Sequence, residues 1–144
     1  MKILIFGLPG SGKTTLAKPF ADLIGGVHIN ADQVREEYDD WDFSPEGRMR
    51  QAQRMRHLSD GVVRAGKIAV TDFVCPTEAA RQAFDPDFTV WMDTIKEGRF
   101  DDTNKIFEQP TNYDFKVTHK EADMWAFLIK QDILGKHGNL GPHR

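Results

Sequence analysis

Lys2-Ile3-Leu4-Ile5-Phe6-Gly7-Leu8-Pro9-Gly10-Ser11-Gly12-Lys13-Thr14 decides how the chain folds. Lys2 to Phe6 is a short apolar run with two β-branched residues, which suits a buried parallel strand. Gly7 to Gly12 is too rich in glycine for regular structure. Lys13 to Ile24 then carries Leu16, Phe20 and Leu23/Ile24 at helical spacing. Strand, glycine loop and helix in that order read as the first βα unit of a parallel sheet. Pro19 falls inside the helix and is expected to kink it or restrict its packing, and Gly25-Gly26 stops it.

The alternation continues outward from there. Val27 to Asn30 reads as a second strand and Ala31 to Tyr38 as a helix. Ser44-Pro45-Glu46 is a helix start whose helix runs to Ala65 before Gly66. Lys67 to Phe73 is a third strand, Thr77 to Phe84 a short helix and Phe88 to Met92 a fourth strand. Tyr113, Phe115 and Val117 alternate with polar residues, as in a half-covered fifth strand near the sheet edge. Glu121 to Leu134 is the closing helix, with Met124, Phe127, Leu128 and Ile133 roughly on one side. Thr94 to Asn112 belongs to no scaffold element and reads as a lid-like insertion or a plain surface loop. The expected architecture is a three-layer α/β domain over residues 1–134, followed by a tail over 135–144 rich in Gly, His and Pro.

Residues 7–14 also satisfy G-x-x-x-x-G-K-[ST] between a strand and a helix, so the fold expected is the P-loop NTPase fold with about five parallel strands and helices on both faces. Gly7, Pro9, Gly10, Ser11, Gly12, Lys13, Thr14 and Thr15 are the candidate binding residues for ATP. The glycines let backbone N–H groups turn inward around phosphate oxygens, and the helix N-terminus adds its dipole. Lys13 would reach the β- and γ-phosphates, and the Thr14 hydroxyl would ligate Mg²⁺. Asp72, at the carboxyl end of the third strand, is the candidate second metal-side ligand, with a cap on the turn before Pro76 as the alternative. Asp32, after the second strand, is the candidate acceptor of a proton from an attacking hydroxyl, with a cap on its own helix as the alternative.

Composition narrows the remaining classes. With 19 Lys+Arg against 22 Asp+Glu the net charge is −3, which argues against a nucleic-acid or membrane-surface binder. The run Arg48, Arg50, Arg54, Arg56 reads as a solvated helix face. A single cysteine, Cys75, and no stretch of about 18 apolar residues fit a cytoplasmic protein. The five histidines show no zinc-site spacing. The oligomeric state is left open, with a homodimer as one option.

Residues 7–17 (GLPGSGKTTLA), 30–35 (NADQVR), 42–51 (DFSPEGRMRQ) and 64–70 (RAGKIAV) together resemble the adenylylsulfate kinase family. The similarity runs from Met1 to about Met92 and resumes around Lys105. It implies transfer of the γ-phosphoryl group of ATP to the 3′-hydroxyl of adenosine 5′-phosphosulfate. The resemblance places Asp32 near the acceptor hydroxyl and makes Arg35 and Arg48 holders of the acceptor nucleotide. It makes Phe43 one face against the acceptor's adenine, and Phe107, in Lys105-Ile106-Phe107, the opposite face. Phe73 and Pro76 fit the family's F-I-S-P segment. Guanidinium forks suit a phosphosulfate and flat apolar rings suit a base, although core packing is the commoner fate of a phenylalanine.

The chain departs from the pattern at several positions. Asn30 and Ala31 stand where the family has aspartate and glycine, and Gln51 where it often has asparagine. Asp72 replaces a small residue, Cys75 a serine and Glu78 an arginine. The family's long basic lid gives way to the short acidic stretch Lys96 to Asp102, in which Arg99 is the nearest candidate to supply transition-state charge. Two alternatives therefore stay open: a kinase on another nucleoside, nucleotide or sugar hydroxyl, and an ATP-binding module without turnover.

Overall fold

A computed structural model describes residues 1–98 and 100–140. Side chains alternate across a strand, so Ile3 and Ile5 of β1 (Lys2–Gly7) face one side of the sheet and Leu4 and Phe6 the other. All four are fully buried, as a strand covered on both faces requires. The first pair packs with Leu16 and Phe20 of α1 (Lys13–Ile24) and with Ile129 and Ile133 of α6 (Ala122–His137). The second packs with Val34 of α2 (Ala31–Tyr38), Met55 of α3 (Pro45–Arg64) and Phe84 of α4 (Glu78–Phe84).

The other strands are β2 (Val27–Asn30), β3 (Ala69–Asp72), β4 (Phe88–Met92) and β5 (Phe115–Val117). They form one five-stranded parallel sheet in the order β2-β3-β1-β4-β5. The expected three-layer P-loop architecture is what forms, with β5 at the edge. From β1 the chain goes out to β2, returns to β3, then crosses to β4 and β5 on the other side. Ligands of open α/β sheets collect beyond the carboxyl ends of strands at such a reversal, here beside β1 and β3. Among the described residues no helix is long and apolar enough to cross a membrane.

Three local expectations need correction. Residues 94–112 contain a short helix, α5 (Asp101–Ile106). Its six residues are too few for an apolar period to show. α1 runs from Lys13 to Ile24 as expected, with Pro19 inside it and Ala17, Phe20 and Ala21 in the core. The closing helix passes Leu134 and ends at His137, where Gly138 takes a left-handed φ of 78°. Its buried face is Ala126, Ile129 and Ile133, while Met124, Phe127 and Leu128 are exposed. Apolar residues ring this helix, so tertiary packing against α1, and not periodicity, chooses the inward side.

Lys2 is an unusual core residue. Its side chain is 2% exposed, with Nζ 2.9 Å from the Asp60 carboxylate of α3 and 5.2 Å from the centre of the Phe84 ring. The Asp60 side chain is 31% exposed and also meets Arg56 at 3.4 Å. Breaking a buried pair costs most when the deeper charge is the one stranded. Asp60→Ala is therefore expected to destabilise by about 2 kcal/mol, discounted from the fully buried case because Asp60 is partly hydrated, while Lys2→Met stays within about 1 kcal/mol of neutral. Urea unfolding of the two variants checks the order.

Candidate active site

The loop between β1 and α1 is shaped by glycine. Gly10 and Gly12 hold φ of 86° and 97°, in the left-handed region that side chains disfavour. Gly12 is the N-cap of α1, which leaves the helix's first N–H groups open to an anion. Lys13 Nζ donates to Leu8 O at 3.0 Å, lying across the loop. Thr94 Oγ1 donates to Ser11 O at 2.7 Å, tying the start of the 94–112 segment to the loop. Pro9, Gly10, Gly12, Lys13, Thr14 and Thr15 line a cavity of about 890 Å³. Gly7 and Ser11 lie beneath it, Gly7 pressed against Met92 and Ser11 fully buried.

Beside the loop a buried carboxylate is fully engaged. Asp72 is 2% exposed, and its Oδ1 accepts from the Thr14 hydroxyl at 3.2 Å and from Asn30 Nδ2 at 3.2 Å. Asn30 Nδ2 also donates to Thr14 Oγ1 at 3.0 Å, and His28 Nε2 bonds to Asp72 Oδ2. Asp72 therefore does not cap the turn before Pro76, and Thr77 caps α4 instead, accepting from Ala80 N at 3.2 Å. Thr14 and Asp72 present hard oxygen donors that touch one another at the mouth of the phosphate loop. This is the sparse protein donor set that Mg²⁺ takes when phosphate oxygens and water complete its shell.

The far end of the cavity carries the residues expected to hold an acceptor. Asn30 Oδ1 accepts from Gln33 N at 3.0 Å and so caps α2. Asp32 is thus not the cap; it is exposed and lines the cavity from the first helical turn. Arg35 is buried, donates to the carbonyls of Asp40 at 2.9 Å and Asp42 at 3.3 Å, and lies 4.3 Å from the Phe43 ring centre. Arg48 lies 5.4 Å from the same ring and donates to Phe43 O at 2.9 Å and Thr103 Oγ1 at 3.2 Å. Burial lowers the pKa of both arginines, while Asp40 acts against this at Arg35 and Asp102 at Arg48. Arginine nonetheless stays protonated at neutral pH. Phe43, Arg35, Arg48 and Phe73 all line the cavity.

Lys105 and Phe107 do not. Lys105 is exposed on α5 away from the cavity, and Phe107 packs half-buried against the second core, 5.3 Å from the Arg81 guanidinium. Arg81 binds that segment to the β3–α4 loop through Glu108 O at 2.6 Å and Cys75 O at 3.0 Å. The exposed aromatics that do line the cavity beside Phe43 are Trp41 and Phe100. Trp41 was legible only as a neighbour of Phe43, and nothing in the sequence marked Phe100. Arg99 lies outside the described residues.

The loop that presents Phe43 is held from α3. The Asp40 carboxylate accepts from Arg50 Nε at 2.8 Å and Arg54 NH2 at 2.9 Å, which keeps it well below the usual carboxylate range. A Cβ on Gly47 would fall 2.2 Å from Asp42 O and 2.5 Å from Asp42 Cγ, so only glycine lets the loop lie this close to the helix. Nothing in the sequence marks this glycine, because its cause is a contact and not a turn.

A phosphate loop opening onto a base-sized cleft, on a 2-3-1-4-5 parallel sheet, makes this a P-loop kinase. A sequence profile of the family described as adenylylsulphate kinase matches residues 1–95, and the chain belongs to that family of phosphotransferases with a hydroxyl acceptor. No curated protein sequence gives a significant match. Among solved structures, the APS kinase CysC of Mycobacterium tuberculosis, in complex with AMPPNP and APS, superposes with a TM-score of 0.78 at 18% identity, covering 92% of this chain and 96% of that one. A shikimate kinase from Acinetobacter baumannii, in complex with shikimate, gives 0.63 at 19% identity, covering 94% of each chain. A sugar kinase from Janibacter sp. HTCC2649 gives 0.72 at 16%, covering 92% of this chain and 93% of that one. At these identities the likeness is one of fold, which kinases of several acceptors share.

Gly47→Ala is expected to destabilise by about 1–3 kcal/mol, as overpacking does, and to speed amide exchange across residues 39–44. Unfolding and hydrogen-exchange measurements check both effects. Unchanged exchange there would show that the loop does not depend on this contact.

Proposed function

We propose that the protein transfers the γ-phosphoryl group of ATP to the 3′-hydroxyl of adenosine 5′-phosphosulfate, with Mg²⁺ and in the cytoplasm. The observation that carries this reading is one cavity joining the phosphate loop to the Arg35–Phe43–Arg48 cluster, with Asp32 also on its wall. The loop amides and Lys13 hold the donor's phosphates, and the two guanidiniums meet the acceptor's phosphosulfate. Phe43 offers its face to the acceptor base, and Trp41 and Phe100 supply the further aromatic surface expected of Phe107. Asp32 orients the acceptor hydroxyl and receives its proton as the new O–P bond forms and the bond between the γ-phosphorus and the bridging oxygen of ADP breaks. Thr14 and Asp72 would hold Mg²⁺, which when bound offsets charge on the β- and γ-phosphates. No covalent enzyme intermediate is needed, because positioning and electrostatics supply the catalysis.

A specific observation favours a second reading. Phe107 is spent in the core, and Glu78 ion-pairs Arg81 at 3.4 Å, so two positions of the acceptor pattern are used structurally. A kinase on another nucleotide, nucleoside or sugar hydroxyl would tolerate both changes.

Incubation with ATP, Mg²⁺ and adenosine 5′-phosphosulfate, followed by mass spectrometry, is expected to show the 3′-phosphorylated product. Lys13→Ala and Asp32→Ala should each lower its rate by at least about 100-fold. ATP binding without product would overturn the proposed acceptor and direct the search to other hydroxyls. ATP binding with no turnover on any acceptor would leave a binding module. Phe43→Ala is expected to raise the acceptor KM roughly tenfold with little loss of stability, the worth of one base stack. Phe107→Ala should do the reverse, costing about 3 kcal/mol of stability or less in its half-buried site.

A further inference from the structure

We infer that Lys120, in the turn between β5 and α6, is a second ammonium on the phosphates of the bound nucleoside triphosphate. Two lysines lie on the phosphate loop. Lys13 Nζ sits 3.0 Å from Leu8 O, and Lys120 Nζ sits 2.9 Å from Gly10 O. The Lys120 stem crosses the loop on the way: a Cβ on Gly12 would lie 3.8 Å from its Cγ and 3.9 Å from its Cε. A neutral carbonyl is a weak partner for an ammonium, and a polyphosphate arriving in the same loop is a far stronger one. Four Lys and Arg side chains line the cavity among the described residues, and Arg35 and Arg48 are at the Phe43 end, which leaves Lys13 and Lys120 at the loop.

The turn is fixed well enough to aim this side chain. Asp93 N donates to Val117 O at 2.8 Å, Val117 is buried, and Trp125 Nε1 donates to His119 O at 2.8 Å. The neighbouring acid, Glu121, lies 3.7 Å from His119 Nε2. Asp102, from the segment opposite, lines the cavity and acts on Arg48. Asp102 thus answers Arg48, whereas the β5–α6 turn brings a cation to the loop.

This inference rests on the nucleotide-kinase reading, and binding of MgATP, MgADP and adenosine to the whole protein separates the two. Lys120→Gln keeps a donor for Gly10 O and removes the charge, and Lys120→Arg restores the charge. MgATP should bind Lys120→Gln roughly tenfold more weakly, MgADP should lose less, adenosine should be unaffected, and Lys120→Arg should recover most of the loss. The difference from wild type should shrink as salt is raised, and the nucleotide-free melting temperature should not move. Equal losses for all three ligands together with a lower melting temperature would make Lys120 a structural tether and overturn the inference. So would unchanged MgATP affinity in a wild type whose binding depends on Lys13. A wild type that binds no MgATP would overturn the kinase reading and this inference with it.

Discussion

A carboxylate taken out of water has to be met on every side, and at Asp72 that requirement ties the cleft together. Its partners come from two elements: Thr14 opens α1, and His28 and Asn30 lie on β2. Asn30 uses its other side-chain atom to cap α2, the helix that carries Asp32 and Arg35. One hydrogen-bonded group therefore sets the phosphate loop against the start of α2, whose Asp32 and Arg35 line the cavity. The strand register makes it possible, because parallel pairing puts Asn30 directly beside Asp72.

That register also links two departures from the family pattern. The resemblance has an aspartate where Asn30 stands and a small residue where Asp72 stands. With acids at both places, two carboxylates would share a buried site about 3 Å apart, and one would be forced to take up a proton. An amide opposite an acid removes the repulsion and adds a donor. The two changes thus act as one, moving the carboxylate across by a strand while keeping it at the same level of the sheet.

The fold was legible because its signals are local. Strand, glycine loop and helix follow one another within residues 2–24, and caps such as Ser44 and Thr77 stand where their helices begin. The lining of the cavity was legible where a motif fixes spacing, as at Lys13 and Thr14, and at Asp32 and Arg35. It was illegible where a role depends on what lies opposite. Phe107 follows a lysine as the resemblance would have it, yet Arg81 and the second core hold it away from the cavity. Trp41 and Phe100 reach the cavity through loop geometry that no period encodes. The arginines of α3 do not form a solvated face alone: Arg50 and Arg54 clamp Asp40, and Arg56 meets Asp60 and Asp85. The charge of these three is thus answered in part within the domain.

Helix α3 is fastened at more than one place along its length. Near its middle Gln51 Nε2 donates to Ala31 O at 3.1 Å, and further on Ser59 Oγ bonds the Thr71 hydroxyl at 2.7 Å in the buried interior, one residue from Asp72. On either side of Gln51, Arg50 and Arg54 grip the 39–44 loop through Asp40. The helix is thus tied to β3, to α2 and to the loop that carries Phe43. The wall formed by Arg48 and Phe43 is shaped when the chain folds, before any ligand arrives, so whatever occupies that end must match a preset outline.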